Sequence, residues 1–272
     1  MACSVELLCV GNELLVGKTV NTNASWLARE ITSLGGSINR VITVSDDMRE
    51  IREAARTILA RRPDFLLTSG GLGPTFDDVT IEGLSKALEL RLKVNKEALN
   101  QVRTRYREIY SSRRFALTKF RVKMATLPIG AKPLLNPLGT APGMALQVRK
   151  TLVVCLPGVP RELRAMFSRH IAPIIRLKAR TEGYVSRALH VQGIFESELA
   201  PLINRVMKRY PEVYVKSHPQ GGEGRAVSRI ELDFSYSGHD VEKGRRAISD
   251  AIARMTRLLT GKAQIAEQRQ GA

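Results

Sequence analysis

The stretch DFLLTSGGLGPTFDDVT, Asp64 to Thr80, holds the residue types best suited to chemistry. An apolar run leads into Ser69-Gly70-Gly71-Leu72-Gly73, followed by Thr75 and the paired acids Asp77 and Asp78. Three glycines in four positions let a backbone turn sharply and approach a ligand closely. Thr68, Ser69 and Thr75 add hydroxyls, and a helix starting around Asp77-Asp78 adds oriented N–H groups for an anion. Asp78 as the helix N-cap accounts for one carboxylate. It leaves Asp77 unexplained, along with Asp46-Asp47, which end the preceding strand on the same edge of the sheet. Mg²⁺ takes one or two carboxylates together with substrate phosphates. Asp46, Asp77 and Asp78 are therefore candidate ligands of a divalent metal, Mg²⁺ or a similar ion.

A second stretch, GNELLVGKT from Gly11 to Thr19, has the ending of a phosphate-binding P-loop. The spacing rejects it. Five residues, Asn12 to Val16, separate the two glycines, where G-x-x-x-x-G-K-[ST] allows four. The next helix signal begins only at NTNASWLAREI, with Asn21 to Asn23 as cap, so no helix N-terminus follows Lys18.

These stretches need a frame to hold them. VELLCVG, INRVITV and DFLLTSGG read as strands, alternating with helices over ASWLAREITSLGG, DDMREIREAARTILARR and DDVTIEGLSKALEL. Leu27 and Ile31 mark the buried face of the first helix, which Gly35-Gly36 close. Ile51, Ala55, Ile58 and Leu59 do so in the second, with Asp46 or Asp47 as cap. That rhythm predicts an α/β fold, an open, mostly parallel sheet in three αβα layers. NKEALNQVRTRYREIYSSRR is a basic helix. MALQV and TLVVCLPG form a hairpin turned at Arg149-Lys150, and VPRELRAMFSRHIAPIIRLKA is one closing helix. From about residue 179 the order β-α-β-β-α predicts a second, smaller α+β domain. The expected division is 1–178, 179–262 and a frayed tail, 263–272, with QGGEGR as a flexible loop.

The composition, 43% hydrophobic and 25% charged, is that of a soluble globular protein. No apolar run approaches a membrane span, and Glu6 inside the first apolar run argues for a strand rather than a signal peptide. Cys3, Cys9 and Cys155 make an odd count without a CxxC pair, so the expectation is reduced thiols in a cytoplasmic protein. Four histidines are scattered without metal-ligand spacing. The net charge of +17 is concentrated in residues 91–123, which hold eleven Lys/Arg against Glu97 and Glu108. Such a block attracts polyanions or phosphorylated small molecules, and it equally fits a solvated helical face.

GNELLVGKTVNTN, VSDD, TSGGLGPTFDDVT, NPLGTAPG and LPGVPREL occur in the order seen in the N-terminal part of CinA-type proteins, which this chain resembles from Val5 to Lys178. The core is similar to the molybdopterin-binding domain shared with molybdopterin adenylyltransferases, and a relative of it occurs in some FAD synthases. GIFESELA looks like part of the small KH-like domain of CinA-type proteins. Full-length relatives add a C-terminal deamidase domain, for which this sequence leaves no room. The resemblance puts Lys18-Thr19 at variable positions and singles out Glu13, Asn21 and Asn23 in the first motif. It implies that Ser69, Gly70, Gly71, Gly73 and Thr75 line a phosphate site, with Asp46 and Asp78 as its acids. Asn136, Gly139, Thr140 and Gly143 belong to the second ligand loop, with Glu162 close by. Lys123 matches a family lysine in a connector usually like NRKQALVP. Here the connector is FRVKMATLP, with Phe120, Val122 and Met124 at polar positions.

The resemblance thus implies a phosphorylated small-molecule ligand, nucleotide or pterin, and a homo-oligomer, while the lack of a membrane-length apolar run argues against membrane association. The leading expectation is a metal-dependent hydrolase of a nucleotide pyrophosphate such as ADP-ribose, with Asp46, Asp78 and Lys123 as the catalytic set. One alternative is nucleotidyl transfer to molybdopterin in molybdenum cofactor biosynthesis, although the transferases mostly carry GGTG rather than GGLGPT. Another is a non-catalytic nucleotide or nucleic-acid binder. For nucleic acid the charge is suitable. The G-x-x-G of QGGEG, however, lies between two predicted strands instead of two helices, and aromatics for stacking are sparse.

Overall fold

Alternating apolar runs and glycine punctuation translate directly into the first unit. The computed structural model describes residues 3–111, 115–179, 183–220, 228–238 and 240–267. Internal packing separates a first unit, residues 1–32 and 36–179, from a second, residues 180–272 with 33–35. The first unit begins β1 (Cys3–Val10), α1 (Asn12–Leu15), α2 (Thr22–Ser33), β2 (Gly36–Val44), α3 (Met48–Ala60), β3 (Phe65–Ser69) and α4 (Thr80–Leu88). It continues with β4 (Leu92–Val94), α5 (Lys96–Tyr110), α6 (Lys119–Lys123), β5 (Thr126–Pro128), β6 (Lys132–Leu134), β7 (Gly143–Val148) and β8 (Thr151–Leu156). The last helix is built from α7 (Pro160–Met166), a π-helical turn at Phe167–Ile171, and α8 (Ala172–Lys178).

Six strands form one sheet in the order β2-β1-β3-β8-β7-β6. The first four are mutually parallel; on one side β7 adds antiparallel to β8, and β6 adds antiparallel to β7. This is the expected α/β fold. β1 and β3 are buried on both faces, as strands covered by crossover helices must be. On one face Leu8, Val10, Leu66 and Val153 pack with Ile51, Ala55 and Ile58 of α3, Leu84 of α4 and Val102 of α5. On the other, Trp26 of α2 meets Phe167 edge-on, ring centroids 5.5 Å apart. Glu6 is 2% exposed inside β1, and its charge is answered by Arg61, whose Nε donates to Oε1 at 2.8 Å.

Local signals account for most boundaries. Asp47 caps α3, accepting from Arg49 N at 2.7 Å, so Asp46 is released from that duty. Asn21 accepts from Ala24 N at 3.0 Å at the start of α2. The hairpin turns at Arg149, φ 52°, with Val148 opposite Thr151. Three expectations change. Helix α4 begins at Thr80, not at Asp77-Asp78, and its cap, Val79, makes no side-chain bond. Asp78 is therefore not an N-cap. The closing helix is interrupted by the π turn, because Pro173 has no N–H to offer the Arg169 carbonyl.

The third change lies in the second unit, which comprises β9 (Gly183–Gln192), α9 (Glu196–Arg209), β10 (Val213–Pro219), β11 (Arg229–Gly238), α10 (Val241–Leu259) and β12 (Gln264–Glu267). Its strands run antiparallel in the order β10-β11-β9-β12. Leu189, Val191, Leu232 and Phe234 pack there against Leu199, Val206, Ile248 and Met255. The expected frayed tail holds a strand: Gln264 to Glu267 pair with Gln192 to Leu189. The G-x-x-G at Gly221–Gly224 lies outside the described residues.

Candidate functional site

The carboxyl ends of four parallel strands, β1, β2, β3 and β8, converge on one cavity of about 380 Å³. The chain leaves β1 toward β2 and returns to β3 on the other side. The crevice therefore opens where strand order reverses, the usual ligand position in open α/β sheets. Gly11 follows β1, Asp46 follows β2, Gly70 to Gly73 follow β3, and Gly158 follows β8; all of them line the cavity.

The glycine loop is shaped by close approach. Gly70 sits at φ 104°, and a Cβ there would come within 2.2 Å of the Val10 carbonyl oxygen. Only glycine lets the two strand ends lie together. Gly71, at φ 65°, faces Thr80, whose hydroxyl donates to the Gly70 carbonyl at 2.9 Å and whose N–H donates to Gly71 O at 3.2 Å. The first residue of α4 thus grips the loop from behind. A Cβ at Gly73 would meet Asp78 Oδ2 at 2.4 Å.

Asp78 turns back toward the loop, its Oδ2 accepting from Thr75 N at 2.9 Å and from the Thr75 hydroxyl at 2.5 Å. Asp77 Oδ1 contacts the same hydroxyl. That hydroxyl has one proton and so can satisfy only one of the two carboxylates. Asp46 accepts from Asn12 N at 2.7 Å. Burial raises its pKa above the ordinary carboxylate value; the Asn12 bond opposes this, while Glu13, Asp77 and Asp78 add to it. Asp77 is held low by the Thr75 hydroxyl bond.

The NPLGTAPG loop reaches the same cavity. Asn136 is buried, with Oδ1 accepting from Gly139 N at 2.8 Å and Leu138 N at 3.1 Å. Its Nδ2 donates to Ala141 O at 3.0 Å and to Glu162 Oε2 at 2.8 Å. Thr140 and Glu162 line the cavity.

The expected site residues fall into two groups. Glu13, Asp46, Gly70, Gly71, Gly73, Thr75, Asp77, Asp78, Thr140 and Glu162 line the cavity. The others brace it. Asn23 donates to Ser69 Oγ at 3.0 Å and to Gly158 O at 2.8 Å, joining the loops after β3 and β8. Asn21 caps α2, and Gly143 opens β7, where a Cβ would crowd the Cys155 carbonyl at 2.5 Å. Lys123 Nζ donates to the Thr75 carbonyl at 2.6 Å and lies 3.9 Å from Glu82, holding the loop from outside. Thr80 and Gly158 were not foreseen. Gly158 was findable, because the run TLVVCLPG ends a strand in glycine just as FLLTSGG does.

Five carboxylates, those of Glu13, Asp46, Asp77, Asp78 and Glu162, line this cavity, and among the described residues no Lys, Arg or His lines it. Among the described residues no three Asp, Glu, His or Cys side chains form a ready-made metal cage. The donor set fits an ion such as Mg²⁺, which takes one or two carboxylates and completes its shell with phosphate and water. The single Thr75 proton shared between two carboxylates fits it too.

The model of the family described as "Probable molybdopterin binding domain" matches residues 6–177. A protein from Pyrobaculum calidifontis is 41% identical over 256 residues, 94% of this chain and 95% of that one. One from Aeropyrum pernix is 46% identical over 227 residues, 83% of each chain. Among solved structures, the protein CinA with unknown function from Thermoplasma acidophilum is similar, with 39% identity and a TM-score of 0.58. The match covers 63% of this chain and 98% of that one.

Proposed function

This chain belongs to the family of probable molybdopterin binding domains, with a CinA-type fold in its first unit, and from that premise we propose a divalent-cation-dependent hydrolase of a nucleotide pyrophosphate such as ADP-ribose. The observation that carries the proposal is the charge of the cavity. A phosphate cannot enter a space whose described lining holds five carboxylates and no basic side chain unless a cation accompanies it. The glycine loop supplies backbone N–H groups for phosphate oxygens. Asp46 and Asp78, with Asp77 beside them, would hold the ion. When bound, it would offset phosphate charge and stabilise charge developing at phosphorus.

The chain's own groups do the positioning. Thr75 and Asp78 fold the loop, Lys123 fixes it by the Thr75 carbonyl, and Asn136 aims the Glu162 carboxylate into the cavity. In the reaction, water adds to one phosphorus, the bridging P–O bond breaks, and two monophosphates leave. The second unit is read as a KH-like accessory domain. Every described residue lining the cavity comes from the first unit.

A second reading, nucleotidyl transfer to molybdopterin, is favoured by the family match itself. It would use the same cradle with a pterin phosphate in place of water. One assay separates the two: release of AMP or phosphate from ADP-ribose, FAD and NAD with Mg²⁺, Mn²⁺ or other divalent ions, with and without molybdopterin, for wild type and Asp78→Ala. Cation-dependent release lost in the variant supports the hydrolase. An adenylylated pterin without free AMP would move the activity to transfer. Tight binding without either product would leave a sensor.

A further inference from the structure

A larger cavity, of about 550 Å³, lies at the opposite end of the same sheet, between the end of α3, the end of α4 and the β7–β8 hairpin. Thr151, on its wall, opens β8, which runs parallel to β3, so this is the amino end of the strands. The acidic cavity lies at their carboxyl ends. Among the described residues the two share no lining residue, and their charges are opposite. Arg56, Arg62, Arg149 and Lys150 line the larger one, and among the described residues no Asp or Glu does. Arg56 pairs with Glu89 at 2.9 Å; among the described residues the other three have no carboxylate partner. Leu59, Leu88 and Val148 supply apolar wall. A helix C-terminus attracts basic side chains from its own last turn, which accounts for Arg56 and Arg62 beside the end of α3. It does not call for two more from a hairpin.

The backbone makes a second, independent observation. Among the described residues, four that are not glycine have positive φ, and three of them border this cavity. Arg62, φ 56°, and Arg149, φ 52°, line it; Glu89, φ 56°, follows Leu88 and holds Arg56. Each stands where chain geometry favours glycine. Arg62 follows the last turn of α3 and Glu89 ends α4, the usual places for a left-handed glycine. Arg149 is the first residue of a two-residue hairpin loop, where positive φ favours glycine again. Glycine would adopt all three conformations without steric strain. The fold alone gives no reason for arginine at positions 62 and 149. What the two arginines add is charge on the wall of one cavity.

We propose that this basic cavity binds a phosphate monoester with an apolar body, such as an aryl or nucleoside monophosphate. Guanidinium forks match phosphate oxygens in bidentate pairs, and three cations without carboxylate partners suit a dianion better than a single carboxylate. Leu59, Leu88 and Val148 cover the organic part. The volume lies within the roughly 300–1,000 Å³ typical of small-molecule pockets. The site brings its own positive charge, so it needs no accompanying metal ion, unlike the acidic cavity. It stands whether or not the acidic cavity hydrolyses anything.

The test titrates the whole chain, in EDTA, with phenyl phosphate, AMP and inorganic phosphate, followed by amide NMR. Phenyl phosphate or AMP is expected to shift the amides of Leu88 and of Arg149 to Thr151, and to bind roughly tenfold more tightly than inorganic phosphate. Arg62→Gly and Arg149→Gly should each weaken that binding roughly tenfold. Their melting midpoints should be no lower than that of wild type, because glycine relieves the backbone. Equal affinity for inorganic phosphate would mean an adventitious ion only and overturn the site. Shifts confined to residues 70–75 would place the probes in the acidic cavity and overturn it too. So would no binding by wild type, binding unchanged in both variants, or a midpoint lowered in both, which would return the arginines to the fold. A fall in the variants' molar mass, with no probe bound by wild type, would instead assign the arginines to contact between copies.

Discussion

Asn136 and Glu162 are 26 residues apart in sequence, and the Nδ2 of one donates to the Oε2 of the other at 2.8 Å. The bond ties the NPLGTAPG loop to the first turn of α7, so the loop and the carboxylate move as one body. Gly139 is the weak point, since a Cβ there would fall 2.0 Å from Glu162 Oε2. The nearest obstacle is the tip of a flexible side chain, which can swing away, but the buried Asn136 Nδ2 also lies 2.5 Å off and is held by its own bonds. Gly139→Ala should therefore cost about 1–3 kcal/mol of stability and weaken nucleotide binding roughly tenfold as Glu162 leaves its place. Chemical denaturation alongside titration calorimetry reads both numbers. Large unfolding with intact binding in the folded fraction would contradict this account.

The glycines of the β3 loop should not behave alike. Gly70→Ala forces a side chain against the Val10 carbonyl at φ 104° and should destabilise by about 3 kcal/mol or more. Gly73→Ala meets only the Asp78 carboxylate. It should fold within about 1 kcal/mol of wild type and lose cation binding. Melting curves with and without Mg²⁺ separate the two: a low midpoint for the first, a normal midpoint without a Mg²⁺ shift for the second.

Asp46 works against the folded state when no cation is present. Its raised pKa means that the ionised form is less favourable folded than unfolded, so at neutral pH its charge subtracts stability. Asp46→Asn keeps an oxygen for the Asn12 N–H and removes the charge. The cation-free midpoint should rise by about 1–2 °C, a small gain because the site is open to solvent, while the Mg²⁺-induced shift disappears. An unaltered Mg²⁺ shift would remove Asp46 from the ion's ligands.

Asp64 has the opposite sign. Burial would raise its pKa, but hydrogen bonds from Lys178 and from the N–H and hydroxyl of Ser4 outweigh that and hold it below the usual value of 3.8. Its stabilisation is therefore complete above the unfolded pKa and is lost as pH falls through the lower, folded one. Asp64→Asn should cost about 1 kcal/mol at neutral pH, and the difference from wild type should vanish on acidification below pH 3.8. A difference that persists at the acid limit would assign the effect to packing.

The alternation of β1 to α4 was legible because each element announces itself locally: Leu27 and Ile31 on one helical face, Asn21 and Asp47 as caps, glycines at strand ends. The cavity-lining acids and glycines were legible for the same reason, with a family resemblance to order them. What escaped depends on partners distant in sequence. Asp78 looks like a cap until Thr75 is seen taking both of its bonds. β12 has no periodicity of its own and exists because β9 offers an edge. The basic block at 91–123 reads equally well as solvated. Yet Arg121 lies against the rings of Tyr106, Tyr110 and Phe115, Lys123 holds Thr75, and Arg105 lines a cavity. Polar residues at helical spacing look the same whether water or a ligand faces them.

The four residues of β12 have a consequence for anyone shortening this protein. Judged by sequence, everything after Gly261 could be trimmed as a loose end. Doing so would strip the partner from Leu189 to Gln192 and leave β9 with bare N–H and C=O groups along that side. Such an edge recruits whatever strand it meets, including the same edge on another copy. The shortened chain would be prone to self-association and precipitation, which could easily be mistaken for natural assembly.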